Sequence, residues 1–175
     1  MLAKRLTDRD VNKETGPDAA ADSEFLVELQ LESNPNALCL VRATLERATE
    51  LLHFPASDSR AIVRSVDEAL ANVIRHAYGG KTGLPIVVTC RRLRIEEQGS
   101  VKHGIEILLE DSGNSPDLTK VKGRALDEIR PGGLGLHFIR QSMDLVEFTH
   151  KEGKNQLRLV KYVVPADAVT KPEGE

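Results

Sequence analysis

At 175 residues, with 40% hydrophobic and 29% charged side chains, the chain has the size and balance of one globular domain, which argues against wholesale disorder. Aromatic residues make up only 3% of it, so the core must be aliphatic. Lys and Arg number 24 against 27 Asp and Glu, a net charge of -3 with no basic block, which argues against direct nucleic-acid binding.

Residues Met1 to Asp22 are polar and contain Gly16-Pro17, so they read as a loose tail with no hydrophobic run of signal-peptide length. No apolar stretch of about 18 residues follows anywhere, so no membrane association is expected and the expected location is cytoplasmic. From Glu24 to Leu31 the run EFLVELQL alternates apolar and polar residues, the period of a strand with one buried face. Ser33-Asn34-Pro35 then offers a cap and a proline suited to a first helical turn. Leu38, Val41, Leu45, Ala48 and Leu52 continue as one helical stripe, ending near Phe54-Pro55. A second start signal at Ser57-Asp58-Ser59 leads into Ile62, Val66, Leu70, Val73 and Ala77, and Gly79-Gly80 stops that helix.

Pro85 to Ile95 and Val101 to Glu110 are rich in Val, Ile and Leu and flank a turn around Gln98-Gly99-Ser100, which predicts an antiparallel hairpin. The chain is irregular after Asp111 through Arg130. A glycine-rich segment then opens a short helix to about Met143. Val146 to Lys151 and Gln156 to Val164 form a closing hairpin around Gly153, before a second loose tail. Cys39 and Cys90, the only cysteines, sit in apolar-periodic segments without a CxxC partner or a His cluster and read as buried free thiols. Helices grouped together, rather than alternating one-for-one with strands, predict an α+β two-layer sandwich over residues 23–165, with tails at 1–22 and 166–175.

Three motifs could carry chemistry. In SVDEALANVIRHAY, Glu68 and Asn72 are four apart and share a helix face, where a carboxylate and an amide could act as general base and metal ligand. Such a pair can equally well face solvent and do nothing. EDSGNSPD ends the apolar strand Ile105 to Leu109 with Asp111, a carboxylate able to accept a hydrogen bond from an exocyclic amine such as adenine's. An acidic turn after a strand looks the same. In RPGGLGLHFIRQSMDLVEF, Gly132, Gly133 and Gly135 stand at the mouth of a helix, where free backbone amides suit a polyphosphate. A plain hinge would also be glycine-rich.

Other phosphate motifs fail on spacing. Gly79-Gly80-Lys81-Thr82 lacks the Walker A glycine, since Arg75 stands in that position, and it lies after a helix rather than after a strand. Gly133-Leu134-Gly135 lacks the third glycine of a dinucleotide fingerprint, where Phe138 stands instead.

Taken in order, the ExxxN helix, the DxG strand end and the GGLGL helix resemble the nucleotide-binding boxes of the GHKL ATPase superfamily. Within it, EALANVIRHAY, EDSGNSPD, GGLGLHFIRQSMDLVEF and GKNQLRLVK are similar to the anti-sigma-factor serine protein kinases. The similarity runs from about Glu24 to Val164. It implies the Bergerat fold, a two-layer α/β sandwich with a mixed, mainly antiparallel sheet. It also implies ATP and Mg2+ as cofactors, with Glu68 as the catalytic base aligning a substrate serine and Asn72 as the Mg2+ ligand. Asp111 would bind adenine, with Gly113 making room for the base. Gly133, Leu134 and Gly135 would close over the phosphates as part of a lid from about Pro116 to Gly132, and Arg130 would contact phosphate. Ser115 replaces the second glycine of the superfamily's DxGxG pattern. His76 and Tyr78, in the HAY ending, read as packing residues at the helix end.

The activity implied is transfer of the ATP γ-phosphate to a serine of a STAS-type anti-anti-sigma antagonist, by a homodimer that also binds an RNA polymerase sigma factor. The alternative is a partner-switching module that binds ATP without kinase activity, which would need no base at Glu68. A histidine-kinase catalytic domain ranks lower, because the chain has no room for a dimerisation helix pair with a phosphoacceptor histidine.

Overall fold

The computed structural model describes residues 21–97, 100–115 and 134–164. Among these residues, five strands and three α-helices alternate in groups: β1 (Ala21–Glu32), α1 (Leu38–Leu51), α2 (Ala56–Asn72), β2 (Pro85–Glu97), β3 (Ser100–Asp111), α3 (Leu134–Ser142), β4 (Leu145–Lys151) and β5 (Lys154–Tyr162). The strands form one sheet in the order β1-β2-β3-β5-β4. Every described neighbour pair is antiparallel, so the mixed sheet expected from the resemblance has no parallel pair among the described residues. β3 and β4 point the same way, but β5 lies between them, and α3 carries the chain across.

The layer arrangement follows from alternation along the strands. Ile86, Val88 and Cys90 on β2, Ile105, Ile107 and Leu109 on β3, and Leu157 and Leu159 on β5 turn one face towards the helices. Against it pack Val41 and Leu45 of α1, Ile62, Val66 and Leu70 of α2, and Ile139 with Met143 at the end of α3. This core is almost wholly aliphatic, as the composition requires. A fully buried Ile62 or Leu70 stabilises the fold by about 1.5–3 kcal/mol through removal of its side chain from water. The other face carries a charged ladder, in which Glu106, buried beneath its neighbours, accepts from Arg158 at 2.6 Å while Arg158 also reaches Glu147 at 2.9 Å. An antiparallel sheet tolerates such a polar face.

Several local details differ from the pattern reading. β1 starts at Ala21, two residues inside the segment expected as a tail. Asn34 caps a short 3-10 turn, accepting from Asn36 N at 3.0 Å, whereas Ser33 ties β1 to the start of β2 through Lys81 and Leu84. Ser57-Asp58-Ser59 provides no cap: Pro55 precedes α2 without a side-chain bond, and the Ser59 hydroxyl pairs with Thr49 of α1 at 2.6 Å. The last turn of this helix is a π-helix over Val73–Ala77. The extra residue per turn shifts the phase, so Ile74 and Tyr78 are buried while Val73 and Ala77 lie at the edge of the core. Cys90 is buried, but Cys39 is exposed, because it lies off the Leu38-Val41-Leu45 stripe.

Candidate nucleotide-binding site

Those expected site residues that the structure describes gather along one helix. Glu68 and Asn72 lie on α2, both partly exposed, one turn apart. The Asn72 side chain makes no hydrogen bond among the described residues, and Glu68 accepts from Arg75 Nη2 at 3.3 Å. This ion pair spans two turns, since the long arginine reaches back from the π segment.

The strand end docks on the far end of the same helix. Gly113 lies so close to Ala77 that a Cβ there would stand 2.6 Å from the Ala77 carbonyl carbon and oxygen. Only glycine fits that approach. Asn114 N donates to the Ala77 carbonyl at 2.9 Å, giving a partner to one of the carbonyls that a helix end leaves open. The Tyr78 hydroxyl donates to the Pro85 carbonyl and accepts from Ser112 N at 3.1 Å. Burial raises the Tyr78 pKa, the Ser112 hydrogen bond lowers it and the nearby Asp111 charge raises it, for a net rise. Tyr78 therefore staples the helix end to both β2 and β3, as its packing role anticipated. His76, read as a packing residue too, is exposed.

Asp111 is 8% exposed, and its Oδ1 accepts from Gly113 N and from Asn155 Nδ2, both at 2.8 Å. Its Oδ2 has no hydrogen-bond partner among the described residues. Asn155, on β5, also donates to the Gly113 carbonyl at 3.1 Å, and its Oδ1 lies 2.7 Å from His150 Nδ1. Asn155 was part of the GKNQLRLVK run but carried no assigned role. Its part emerges only from strand register, with Asp111 and His150 directly opposite it on either side.

The glycine-rich helix docks on the near end. A Cβ at Gly135 would stand 2.0 Å from Glu68 Oε1, so α3 begins against the carboxylate itself. One turn further along α3, the Phe138 ring lies 4.2 Å from the Arg64 guanidinium, a cation-π contact one turn before Glu68 on α2. Leu134 opens this helix, while Arg130, Gly132, Gly133 and the expected lid lie outside the described residues. Two glycine contacts, at Glu68 and at Ala77, thus bracket Asn72, roughly 13 Å apart by helical rise.

An open groove of about 690 Å³ lies at the other end of the sheet, lined by Leu51, Leu52, Arg92, Arg94, Val101 and His103 among others. It contains none of the site residues described above. No cluster of three or more His, Cys, Asp or Glu residues able to hold a metal occurs among the described residues, so a metal at Asn72 would draw most of its ligands from phosphate and water, as Mg2+ commonly does. No helix among the described residues is long and apolar enough to cross a membrane.

A helix bearing a carboxylate and an amide, flanked by a strand-end aspartate and a glycine-rich helix start, over an antiparallel sheet, is the arrangement of an ATPase of the histidine-kinase type. The profile of the histidine kinase-like ATPase domain family matches residues 31–161. The chain belongs to this family. It is similar to the serine-protein kinase RsbW of Bacillus pumilus, 27% identical over 136 residues that cover 73% of this chain and 80% of that one. The RsbW of Bacillus thuringiensis is 23% identical over 145 residues, covering 78% and 84% of the two chains. Among solved structures, the RsbU and RsbW domains of a Mycobacterium tuberculosis protein match with a TM-score of 0.51 at 19% identity, which speaks to the fold alone. That match covers 81% of this chain, which spans 34% of the longer one. Membership of the family implies ATP binding.

Proposed function

We propose that this protein is an ATP-dependent serine protein kinase and anti-sigma factor, which phosphorylates a STAS-type anti-anti-sigma antagonist and sequesters an RNA polymerase sigma factor as a homodimer. The observation that carries the kinase reading is the seating of Gly135 against the Glu68 carboxylate, which puts a glycine-rich helix start, suited to phosphate, beside a group able to orient a hydroxyl. RsbW relatives bear the name serine-protein kinase, which supports the same reading.

The residues fit Mg-ATP in their chemistry. Asp111 Oδ2, without a partner among the described residues, would accept from an exocyclic amine, Gly113 lets the strand end that carries Asp111 lie against Ala77, and the Asn72 amide oxygen, also unpaired among the described residues, would hold Mg2+. Bound Mg-ATP would supply an electrophilic γ-phosphoryl group whose charge the metal already offsets. The first-turn amides of α3, at Leu134 and Gly135, lack intrahelical partners and would donate to phosphate oxygens. Gly133 and Arg130 would complete these contacts. Glu68 would accept a hydrogen bond from the substrate serine, aim its oxygen at phosphorus and take up its proton. Phosphoryl transfer depends chiefly on such positioning and charge placement.

The test is to incubate the protein with γ-labelled ATP and purified STAS-domain proteins of the same genome. Label should appear on a serine of one of them. Glu68→Gln should cut the rate about 10²–10⁴-fold while ATP still binds. Undiminished transfer in Glu68→Gln would remove the base assignment, and ATP binding without transfer to any partner would favour the non-catalytic module.

A further inference from the structure

Asp111, Asn155 and His150 form one row across three neighbouring strands, each directly opposite the next in register. Asn155 is 1% exposed at the centre of the row. Its Nδ2 donates to Asp111 Oδ1 at 2.8 Å and to the Gly113 carbonyl at 3.1 Å, with the Asn114 carbonyl 3.5 Å away. Both amide protons are then committed. The amide oxygen can only accept, so His150 Nδ1, 2.7 Å away, must carry the proton. Turning the amide over would aim its oxygen at a carboxylate and two carbonyls, all of which can only accept. Only one orientation is compatible with both sides.

We propose that His150 and Asn155 are positioning residues for purine selection. The His150 Nδ1–H fixes the Asn155 amide, which occupies Asp111 Oδ1 and leaves Oδ2 as the acceptor that distinguishes a 6-amino from a 6-oxo purine. This inference rests on the reading of Asp111 as the nucleobase acceptor. A 6-oxo group would bring a second acceptor up to the carboxylate, so selection depends on holding that carboxylate in one rotamer with one oxygen available. Asn155 does the holding from a buried position, and His150 acts through it from the exposed edge strand β4.

The experiment is calorimetric titration with ATP and with inosine triphosphate, which differ at the purine 6 position, for the wild-type protein and for Asn155→Ala, His150→Ala and His150→Gln. Wild type should favour ATP. Asn155→Ala should weaken ATP binding about tenfold, and His150→Ala about threefold because water can partly replace the exposed ring, with inosine triphosphate affinity unchanged in both. Gln at position 150 retains a donor and should restore part of the ATP preference, and no restoration would count against the donor. His150 is exposed, so its alanine variant should keep the wild-type thermal midpoint, which separates selection from folding even if Asn155→Ala is unstable. An unchanged ratio of the two affinities in both alanine variants would overturn the inference alone. A wild-type protein that ignores both nucleotides would overturn the Asp111 reading with it.

Discussion

Gly135→Ala should separate the stability of this protein from its chemistry. The new methyl group would stand 2.0 Å from Glu68 Oε1, 2.4 Å from Cδ and 2.5 Å from Cγ, so the carboxylate must retreat by more than an ångström to reach ordinary contact near 3.4 Å. The three atoms nearest the methyl all belong to the movable part of one side chain, and Gly135 is already helical, so that side chain rather than the backbone should give way. The displaced glutamate loses its contact with Arg75, a partly exposed pair worth at most about 1 kcal/mol. Replacing a helical glycine with alanine returns about 0.5–1 kcal/mol. These terms nearly cancel, so the thermal midpoint should stay within about 5 °C of wild type. The proposed phosphoryl transfer has no such compensation, because misplacing the proposed base by about 1 Å can cost on the order of 10²-fold in rate. Thermal denaturation, nucleotide titration and γ-label transfer on the same preparation decide the matter. Transfer at the wild-type rate would refute the role of Glu68, and a midpoint lowered by much more than 5 °C would refute the claim that its side chain can move aside.

Gly113→Ala should behave in the opposite way: its methyl meets the Ala77 backbone at 2.6 Å, which cannot swing aside, so urea denaturation should show a loss of about 1–3 kcal/mol together with weakened nucleotide binding. Tyr78→Phe removes the hydroxyl that donates to the Pro85 carbonyl and serves Ser112 N, and should cost about 1–3 kcal/mol in the same assay by leaving those groups without it. Burial pushes the Cys90 thiol from an ordinary value near 9 up to about 12, so between those values the unfolded chain binds fewer protons than the folded one. Stability should therefore fall as pH rises from 9 towards 12, by about 1.4 kcal/mol per pH unit at most, and Cys90→Ala should flatten that slope. A thiol reagent at neutral pH should modify exposed Cys39 at once and Cys90 only on unfolding.

Much of the fold was legible because its signals are local. Alternation in EFLVELQL and the Leu38-Val41-Leu45 stripe each report an inward face: the structure buries the helical stripe and packs Val27, Leu29 and Leu31 partly buried against the core, while Phe25 of the same strand is 60% exposed. The same stripe would have put Cys39 on the outside, had its position been read by angle rather than by the apolar character of its neighbours. The π-turn had no local signature. It appears where Tyr78, tied to Pro85 and Ser112, fixes the end of the helix against strands that are distant in sequence. Asn155 was illegible for a related reason, since an asparagine just after a glycine turn reads as turn chemistry until the β3-β5-β4 register sets it beside Asp111. The glycines of the candidate site were visible as motif letters. That each answers a specific close approach, one to backbone and one to a carboxylate, needed coordinates.

The π-turn also fits the proposal that one helix serves both ends of an elongated ligand. A regular α-helix through Ala77 would continue the phase of Glu68 and Asn72, and would set Val73 and Ala77 along the buried stripe. The inserted residue buries Ile74 and Tyr78 instead, and moves Ala77 to the core's edge, where its carbonyl takes the Asn114 amide. The strand end carrying Asp111 can then lie on the helix without a side chain between them, provided residue 113 is glycine. Asn72 is the last residue before the change of winding, so the proposed metal ligand sits at the junction between the helix face that bears Glu68 and the segment that seats the Asp111 turn. A winding defect there is tolerable only because Tyr78 and Asn114 satisfy and hold the groups it frees, which is why the site's spacing depends on residues that would never touch the nucleotide themselves.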